Sequence, residues 1–190
     1  MYMKNAIIIH GTCGKDEYFS DKYPSLSNSH WLPWLQKQLL INNIFTQTPE
    51  MPEAYNPNYE KWSKEFEKFD VNNETILIGH SCGAGFLIRW LSENKVKINK
   101  LILVAPWLDP DREKTTAFFS FEISKDIKDR VTDIHLLVSK DDHNDILKSV
   151  SIIRNNIPEV KYHEFSGFKH FTYKHMKTDK FLELLSYILE

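Results

Sequence analysis

The stretch that decides the fold runs from Thr75 to Gly85 and reads Thr-Ile-Leu-Ile-Gly-His-Ser-Cys-Gly-Ala-Gly. Its first half is a short apolar run, typical of a buried strand, and a helical pattern continues from Phe86 to Leu91. Between them lies Gly-x-Ser-x-Gly, with Ser81 at its centre. Small residues around a serine let a strand turn sharply into a helix while the hydroxyl stays exposed. The stretch therefore predicts a reactive serine at the end of a buried strand.

Similar apolar runs and helical patterns alternate along the whole chain. Strands are predicted at 5–10, 44–47, 75–80, 100–105, 134–139 and 160–165, and helices at 30–41, 59–69, 86–91, 145–155 and 179–189. Runs that are apolar on both faces are typical of parallel strands covered on both sides. We therefore expect one α/β domain over residues 1–190, with a mostly parallel sheet of about six strands and helices on both faces.

The stretch from Trp107 to Arg130 interrupts this alternation. It holds Phe118, Phe119 and Phe121 among charged residues and lies between two predicted strands. Two interpretations fit the pattern equally well: a small cap over one edge of the sheet, or a core helix with an irregular start. A chain of 190 residues leaves no room for a large cap domain.

Composition limits the classes of function. Lys and Arg number 24 against 26 Asp and Glu, so no excess positive charge is available for nucleic acid or an anionic membrane. The apolar run at 6–9 is too short for a signal peptide or a membrane span. The two cysteines suit a reducing compartment. We therefore expect a soluble cytoplasmic protein that binds neither nucleic acid nor membranes.

Glycine is unusually scarce in this chain. The 6 glycines stand at positions 11, 14, 79, 83, 85 and 167, whereas average usage of about 7% would give roughly twice that number. They fall in three places: the loop after the first strand, the serine turn, and a loop after the last strand. We expect each glycine to serve a backbone requirement, and the three loops to meet at one site.

A serine nucleophile needs a base and an acid that orients the base. In a doubly wound sheet such groups lie just beyond the carboxyl ends of the strands. Asp141 and Asp142 follow the fifth predicted strand, and His170 follows the sixth. His175, five residues further on, is more simply a surface histidine. The sequence therefore predicts that Ser81, one of these carboxylates and His170 come together.

An acyl-transfer site also needs two N–H groups to bind the oxyanion of its tetrahedral intermediate. One expected donor is the backbone N–H of Cys82, which follows the serine. The other is expected in the loop at 10–14, with the N–H of Thr12 as the candidate and Cys13 as the second choice. Acyl transfer of this kind requires no metal and no organic cofactor, so we expect neither.

Two rival interpretations of these loops fail on their residues. A phosphate-binding loop ending at Lys15 would need glycine at position 9 and Ser or Thr at position 16, where the chain has Ile9 and Asp16. His143 lies beside three aspartates, at 141, 142 and 145. Adjacent residues on one loop seldom all face one ion, so this stretch is interpreted as a solvated loop.

Taken together, these features resemble the small α/β-hydrolases of the YdeN type, a family that also contains retinoblastoma-binding protein 9. The shared segments lie at 10–11, 29–35, 79–81, 139–142 and 167–171 and cover nearly the whole chain in the family's order. The resemblance implies a three-layer α/β-hydrolase-like fold with a minimal cap. It further implies that Ser81 is the nucleophile, Asp142 the acid and His170 the base, because the family places the acid second in the aspartate pair.

Two positions depart from the family pattern. The family commonly has proline shortly after the acid, and the stretch from His143 to Ile146 has none. It also commonly has glycine immediately before the histidine, where this chain has Lys169. A glycine there could adopt a positive φ, whereas a lysine is tolerated if its φ is negative, so this departure bears on the loop conformation around His170.

The residues and the resemblance predict a serine hydrolase that cleaves a small carboxylic ester, thioester or amide through an acyl-enzyme intermediate. Trp31 and Trp107, with the phenylalanines at 118–121, are expected to border a shallow, open substrate site. The alternative is a protein-binding module with a hydrolase fold, a protein partner and weak or no catalysis. A further hypothesis is that Cys13 and Cys82 make the site sensitive to thiol oxidation; the simpler interpretation is two small buried residues.

Overall fold

A computed structural model describes residues 4–114 and 117–190. Its six strands form one parallel sheet in the order β2-β1-β3-β4-β5-β6. The strands are β1 (Asn5–Ile9), β2 (Phe45–Gln47), β3 (Thr75–His80), β4 (Ile98–Val104), β5 (Val131–Ser139) and β6 (Lys161–Phe165). The helices are α1 (Lys15–Tyr18), α2 (Leu32–Ile41), α3 (Tyr59–Phe66), α4 (Cys82–Glu93), α5 (Ile127–Arg130), α6 (Asn144–Asn156), α7 (Tyr173–Met176) and α8 (Leu182–Leu189).

Every predicted strand and helix has a counterpart in this fold, and the α/β prediction is confirmed. The largest difference in a strand is at β5, which begins at Val131 rather than at residue 134 because its first residue still pairs with Ile98 of β4. Three further helices, α1, α5 and α7, were not predicted. Each of these helices has only four residues, too few to show a helical period.

Helices form two layers, one on each side of the sheet. The chain goes from β1 outward to β2 through α2, then reverses direction for all later strands. Because parallel crossovers are right-handed, this reversal places α2 on the opposite face from α3, α4 and α6. Within the layers, Phe66 of α3 packs on Trp90 of α4 with ring centroids 4.8 Å apart. On the other face Trp31, just before α2, packs on Phe181, just before α8.

The segment between β4 and β5 is neither a cap nor a long core helix. Among its described residues the α-helical part is α5, and the turn at 117–119 lies against α4, where Arg89 donates to the carbonyls of Ala117 and Phe118. Phe118 and Phe119 are buried, with Phe118 against Trp62 and Phe119 against Trp107. Neither ring is among the side chains that line the cleft beside Ser81. Both rings contribute to the hydrophobic core.

The parallel arrangement brings the predicted functional loops to one edge of the sheet. The carboxyl ends of β1, β3, β5 and β6 point the same way. In such sheets, ligands bind in the crevice outside these carboxyl ends. No helix within residues 4–114 and 117–190 is long and apolar enough to cross a membrane.

Candidate active site

Ser81 lies in a sharp turn between β3 and α4, with φ 55° and ψ −121°. Few side chains adopt a positive φ, so surrounding contacts must hold this conformation. The helix packs directly against the strands. A Cβ on Gly79 would lie 2.5 Å from Ala84 Cα, and a Cβ on Gly83 would lie 2.3 Å from the carbonyl oxygen of His10. Glycine is therefore required at both positions, as predicted.

Ser81, His170 and Asp142 form a continuous hydrogen-bonded chain. The Ser81 Oγ lies 2.9 Å from His170 Nε2, and His170 Nδ1 lies 3.0 Å from Asp142 Oδ2. The Asp142 side chain is fully buried and the His170 side chain is 19% exposed. In the resting arrangement the serine hydroxyl donates to Nε2, and Nδ1–H donates to the carboxylate. This is the geometry in which a histidine removes the proton of a serine.

The two adjacent aspartates occupy different positions. Asp142 contacts the ring of His170. Asp141 instead contacts the loop that carries the histidine: its Oδ1 accepts hydrogen bonds from the Ser139 hydroxyl and from the N–H of Gly167 and Lys169. These bonds, that of Ser139 above all, lower the pKa of Asp141. One carboxylate thus orients the ring and the other holds its loop.

The loop of His170 has left-handed residues on both sides of the histidine. Lys169 has φ 44° and Phe171 has φ 52°. The φ of Lys169 is therefore positive, so the condition for a strain-free lysine at this position is not met. Each non-glycine residue in the left-handed conformation destabilises the fold by about 1–2 kcal/mol. The hydrogen bonds that Asp141 accepts from the loop and the burial of Phe171 must therefore compensate for this strain.

His80 connects this loop to the serine turn. Its ring is buried, and Nε2 lies 2.9 Å from the backbone carbonyl oxygen of His170. Because a carbonyl can only accept, Nε2 carries the proton and donates. Burial, with the neighbouring His170 and His30, lowers the pKa of His80 well below its usual value, so the ring is neutral. The residue before Ser81 thus holds the backbone of His170 in place, a role that sequence reasoning missed.

The loop after β1 lies against the serine. A Cβ added to Gly11 would be 3.0 Å from Ser81 Cβ and 3.6 Å from Ser81 Oγ. His10 Nδ1 donates to the carbonyl of Gly11 at 2.7 Å, and its Nε2 accepts from the N–H of Met51 at 2.8 Å. The Gly11 carbonyl and the Thr12 N–H belong to one trans peptide and point in opposite directions. By fixing the carbonyl, His10 therefore also fixes the direction of the Thr12 N–H.

The second expected oxyanion donor lies at the start of α4. Cys82 is the first residue of this helix, and the first N–H groups of a helix have no partner within it.

The thiols next to the two expected donors are protonated. Burial raises the pKa of Cys82 well above its usual value, and burial with the nearby Glu17 and Glu50 raises that of Cys13 to about 11. Both are weak nucleophiles at neutral pH.

Two cavities meet at Ser81. A cleft of about 340 Å³ is lined by Thr12, Ser81, Trp107, Lys114, His143, Asp145, Ile146 and His170. A second cavity of about 60 Å³ lies beside it, and both cavities are lined by Thr12, Ser81 and His170. Trp107 thus borders the cleft as predicted. Trp31 does not, because its indole ring is fully buried against His80 and Phe181.

The buried histidines around the serine are uncharged. Burial, followed by the nearby His170 and His175, lowers the pKa of His30 to about 4. Burial also lowers the pKa of His10. Elsewhere in the described part of the chain, no group of three His, Cys, Asp or Glu side chains is placed to hold a metal ion.

Strand order, a serine in a strained strand-to-helix turn, and a histidine and an aspartate on later loops define the α/β-hydrolase class. The family model for serine hydrolases matches residues 22–150. The chain therefore belongs to the serine hydrolase family.

Known relatives share this architecture. The hydrolase YdeN of Bacillus subtilis (strain 168) is 28% identical over 95 residues, which are 48% of this chain and half the length of YdeN. The crystal structure of YdeN superposes with a TM-score of 0.83 at 21% identity and covers 98% of this chain and 97% of the other. Est1E from Butyrivibrio proteoclasticus has a TM-score of 0.67 at 16% identity, over 98% and 85% of the two chains. These superpositions show a common fold.

Proposed function

We propose that this chain hydrolyses a small carboxylic ester, thioester or amide through an acyl-enzyme intermediate. The observation that carries the proposal is the hydrogen-bonded chain Ser81–His170–Asp142, with distances of 2.9 and 3.0 Å, at the mouth of a cleft. Ser81 is the nucleophile, His170 the base and Asp142 the acid that holds the histidine in the required tautomer.

In the first half of the reaction, His170 Nε2 takes the proton of Ser81 as Oγ forms a bond to the substrate carbonyl carbon. The N–H groups of Cys82 and Thr12 stabilise the oxyanion; each such donor is worth about 10²–10³ in rate. His170 then gives its proton to the leaving alcohol, thiol or amine, and the bond to the leaving group breaks. Asp142 stabilises the positively charged imidazole ring during both transfers.

In the second half, a water molecule replaces the leaving group. His170 takes a proton from this water, and the oxygen attacks the acyl carbon. The bond between the carbon and Ser81 Oγ breaks, the serine recovers its proton from Nε2, and the carboxylic acid is released. Only side chains and backbone groups of this chain take part besides the substrate and water.

A fluorophosphonate probe tests the assignment, because it labels only serines that are activated as nucleophiles. We expect covalent labelling of the wild-type protein, none of Ser81→Ala, and strongly slowed labelling of His170→Ala. Ser92→Ala is the matched control, since it removes a buried hydroxyl of α4 on the opposite end of the helix and should leave labelling unchanged. Labelling that persists in Ser81→Ala would disprove the proposal.

The adjacent aspartates supply a second matched pair. Asp142→Asn should lower kcat of aryl ester hydrolysis by about 10⁴-fold, as loss of the orienting carboxylate does in such triads. Asp141→Asn leaves the His170 ring contact in place and should cost far less. Equal losses in the two variants would contradict the assigned roles. A wild-type rate no higher than that of Ser81→Ala would instead favour the protein-binding alternative.

A further inference from the structure

The small cavity beside Ser81 ends at a single leucine that also borders a third cavity. Leu26 lines the 60 Å³ cavity on one side and a cavity of about 330 Å³ on the other. Its side chain is 9% exposed. Its backbone is fixed by Glu50, whose carboxylate accepts hydrogen bonds from the N–H of Leu26 at 3.2 Å and of Ser27 at 2.8 Å. Leu26 thus borders both spaces, on a backbone that Glu50 holds in place.

We propose that the small cavity is the acyl subsite, that it accepts uncharged acyl groups of two to four carbons, and that Leu26 sets this limit. The inference rests on the proposed function, because it takes Ser81 as the nucleophile. It adds the class of acid that the enzyme releases and the residue that selects it.

The two spaces that meet at Ser81 differ in volume, about 340 Å³ against about 60 Å³. This difference indicates which space holds the acyl group and which holds the leaving group. The leaving group must depart before water can attack, and it needs an open route. The cleft of about 340 Å³ beside Trp107 and Lys114 supplies that route. The acyl group stays bound to Ser81 Oγ until deacylation, so it can occupy the smaller space beside the serine.

The walls of the small cavity suit an uncharged group. Leu26 and Leu32 contribute apolar surface. The ring nitrogens of His10 are both hydrogen-bonded to backbone, Nε2 of His80 donates to His170, and Nδ1 of His30 accepts from the N–H of Tyr173. All three imidazoles are neutral, because burial lowers the pKa of each. Apart from His170, whose ring is charged only during proton transfer, these walls offer a carboxylate or an ammonium group no opposite charge.

The volume of the cavity sets the length of the acyl group. An apolar cavity of about 150 Å³ holds a benzene molecule with its six carbons. By the same proportion, the cavity of about 60 Å³ beside Ser81 holds two or three carbons. These are the carbons beyond the carbonyl, whose own oxygen points to Cys82 and Thr12. Acetyl, propionyl and butyryl groups fit, and longer chains meet Leu26.

The first test uses the wild-type protein and p-nitrophenyl esters of acids with two, three, four, six and eight carbons. We expect kcat/KM to fall by about tenfold or more between butyrate and hexanoate, since one misfitting methylene is worth about 10–200-fold. A parallel series keeps the acetyl group and lengthens the alcohol from ethanol to hexanol. This series should show no such step, because the alcohol lies in the larger cleft.

The second test shortens the side chain that borders both spaces. Leu26→Ala joins the small cavity to the 330 Å³ space, and we expect the step between butyrate and hexanoate to shrink to about threefold or less. Leu26→Val should shift it partly and guards against poor folding of the alanine variant. Leu184→Ala is the control, because it removes a buried leucine of α8 that borders neither space, and it should leave the step in place.

The outcomes separate this inference from the proposed function. No probe labelling and no hydrolysis of any ester would overturn the proposed function itself. Hydrolysis that is indifferent to acyl length in the wild type, or a step that both Leu26 variants leave unchanged, would overturn the acyl subsite alone. A Leu26→Ala variant that gains on long alcohols and not on long acids would assign the small cavity to the leaving group, which also overturns the proposal.

Discussion

The serine turn and the histidine loop face each other across the site, yet they are held in place by different forces. The turn around Ser81 is fixed by packing: the strand and helix touch so closely that Gly79 and Gly83 admit no Cβ. The loop around His170 is fixed by hydrogen bonds, accepted by Asp141 and donated by His80, and by the buried ring of Phe171. Its left-handed residue Lys169 is exposed, and its glycine has nothing within 4 Å of a would-be Cβ.

The two regions therefore show two different ways of fixing the position of a side chain. A packed turn cannot be altered without moving backbone, so single substitutions there should affect folding. A hydrogen-bonded loop can lose one contact and keep its fold, so substitutions there should affect activity first. The predictions below test this division.

Gly83→Ala should have the largest effect on stability. Its Cβ would lie 2.3 Å from the carbonyl oxygen of His10 and 2.5 Å from that of Ile9, so α4 must move away from β1. We expect a loss of about 3 kcal/mol in the free energy of unfolding, measured by urea denaturation. Gly14→Ala is the control: its φ is −73° and no atom lies within 4 Å of the new Cβ. Equal stability of the two variants would contradict the packing argument.

Removing the imidazole of His80 should lower activity more than stability. His80→Phe keeps the aromatic bulk and loses the N–H that donates to the His170 carbonyl. We expect kcat to fall by about 10–100-fold with KM nearly unchanged, because a small displacement of a catalytic group is costly. His80→Gln can place an N–H at a similar position and should recover most of the loss. If both variants lose kcat equally, the hydrogen bond is not the cause.

The buried histidines should make the fold sensitive to acid. The pKa of His30 is about 4 in the folded protein and about 6.5 in an unfolded chain. Between these values the unfolded chain binds the additional proton, so the free energy of unfolding falls as pH drops from about 6.5 towards 4. His30→Gln should flatten this part of a stability profile obtained by denaturant titration at several pH values. A profile as steep as that of the wild type would rule out His30 as a contributor.

Lys169→Gly should have the smallest effect, and it should be stabilising. Glycine removes the cost of a left-handed φ of 44°, part of which is offset by the greater freedom of the unfolded chain. We expect a gain of up to about 1 kcal/mol and a slightly higher Tm in thermal unfolding. Lys174→Gly, within α7, should instead lower the Tm. A Lys169→Gly variant that is less stable than the wild type would show that the lysine has a contact worth more than its strain.

The sequence revealed the features that depend on local pattern. The apolar strand before Ser81 and the spacing of its glycines predicted the turn. The positions of the Asp141–Asp142 pair and of His170, each just after a predicted strand, placed them at the same edge of the sheet, and the choice of Asp142 came from the family resemblance. Scarcity of glycine was a useful signal at positions 79 and 83, where backbones touch. It misled at Gly14, whose backbone conformation any residue can adopt.

Features that depend on long-range packing could not be predicted in this way. The sequence suggested that Trp31 borders the substrate site, but its ring packs inward against Phe181. The sequence around residue 31 gives no sign of this contact. The φ of Lys169 depends on hydrogen bonds with Asp141, 28 residues away. The bond between His80 and His170 spans 90 residues. The one available hint of the role of His80 was its position directly before Ser81, at the end of a predicted buried strand.

The position of β6 at the edge of the sheet has a dynamic consequence. This strand pairs with β5 alone, so breaking one ladder frees it, whereas freeing β3 requires breaking two. Partial unfolding that starts at this edge therefore requires less free energy than unfolding that starts at the centre of the sheet. Such an opening carries the histidine away and leaves the serine turn intact. The contact between Ser81 and His170 can thus be lost reversibly, through partial unfolding, while most amide protons remain protected from exchange.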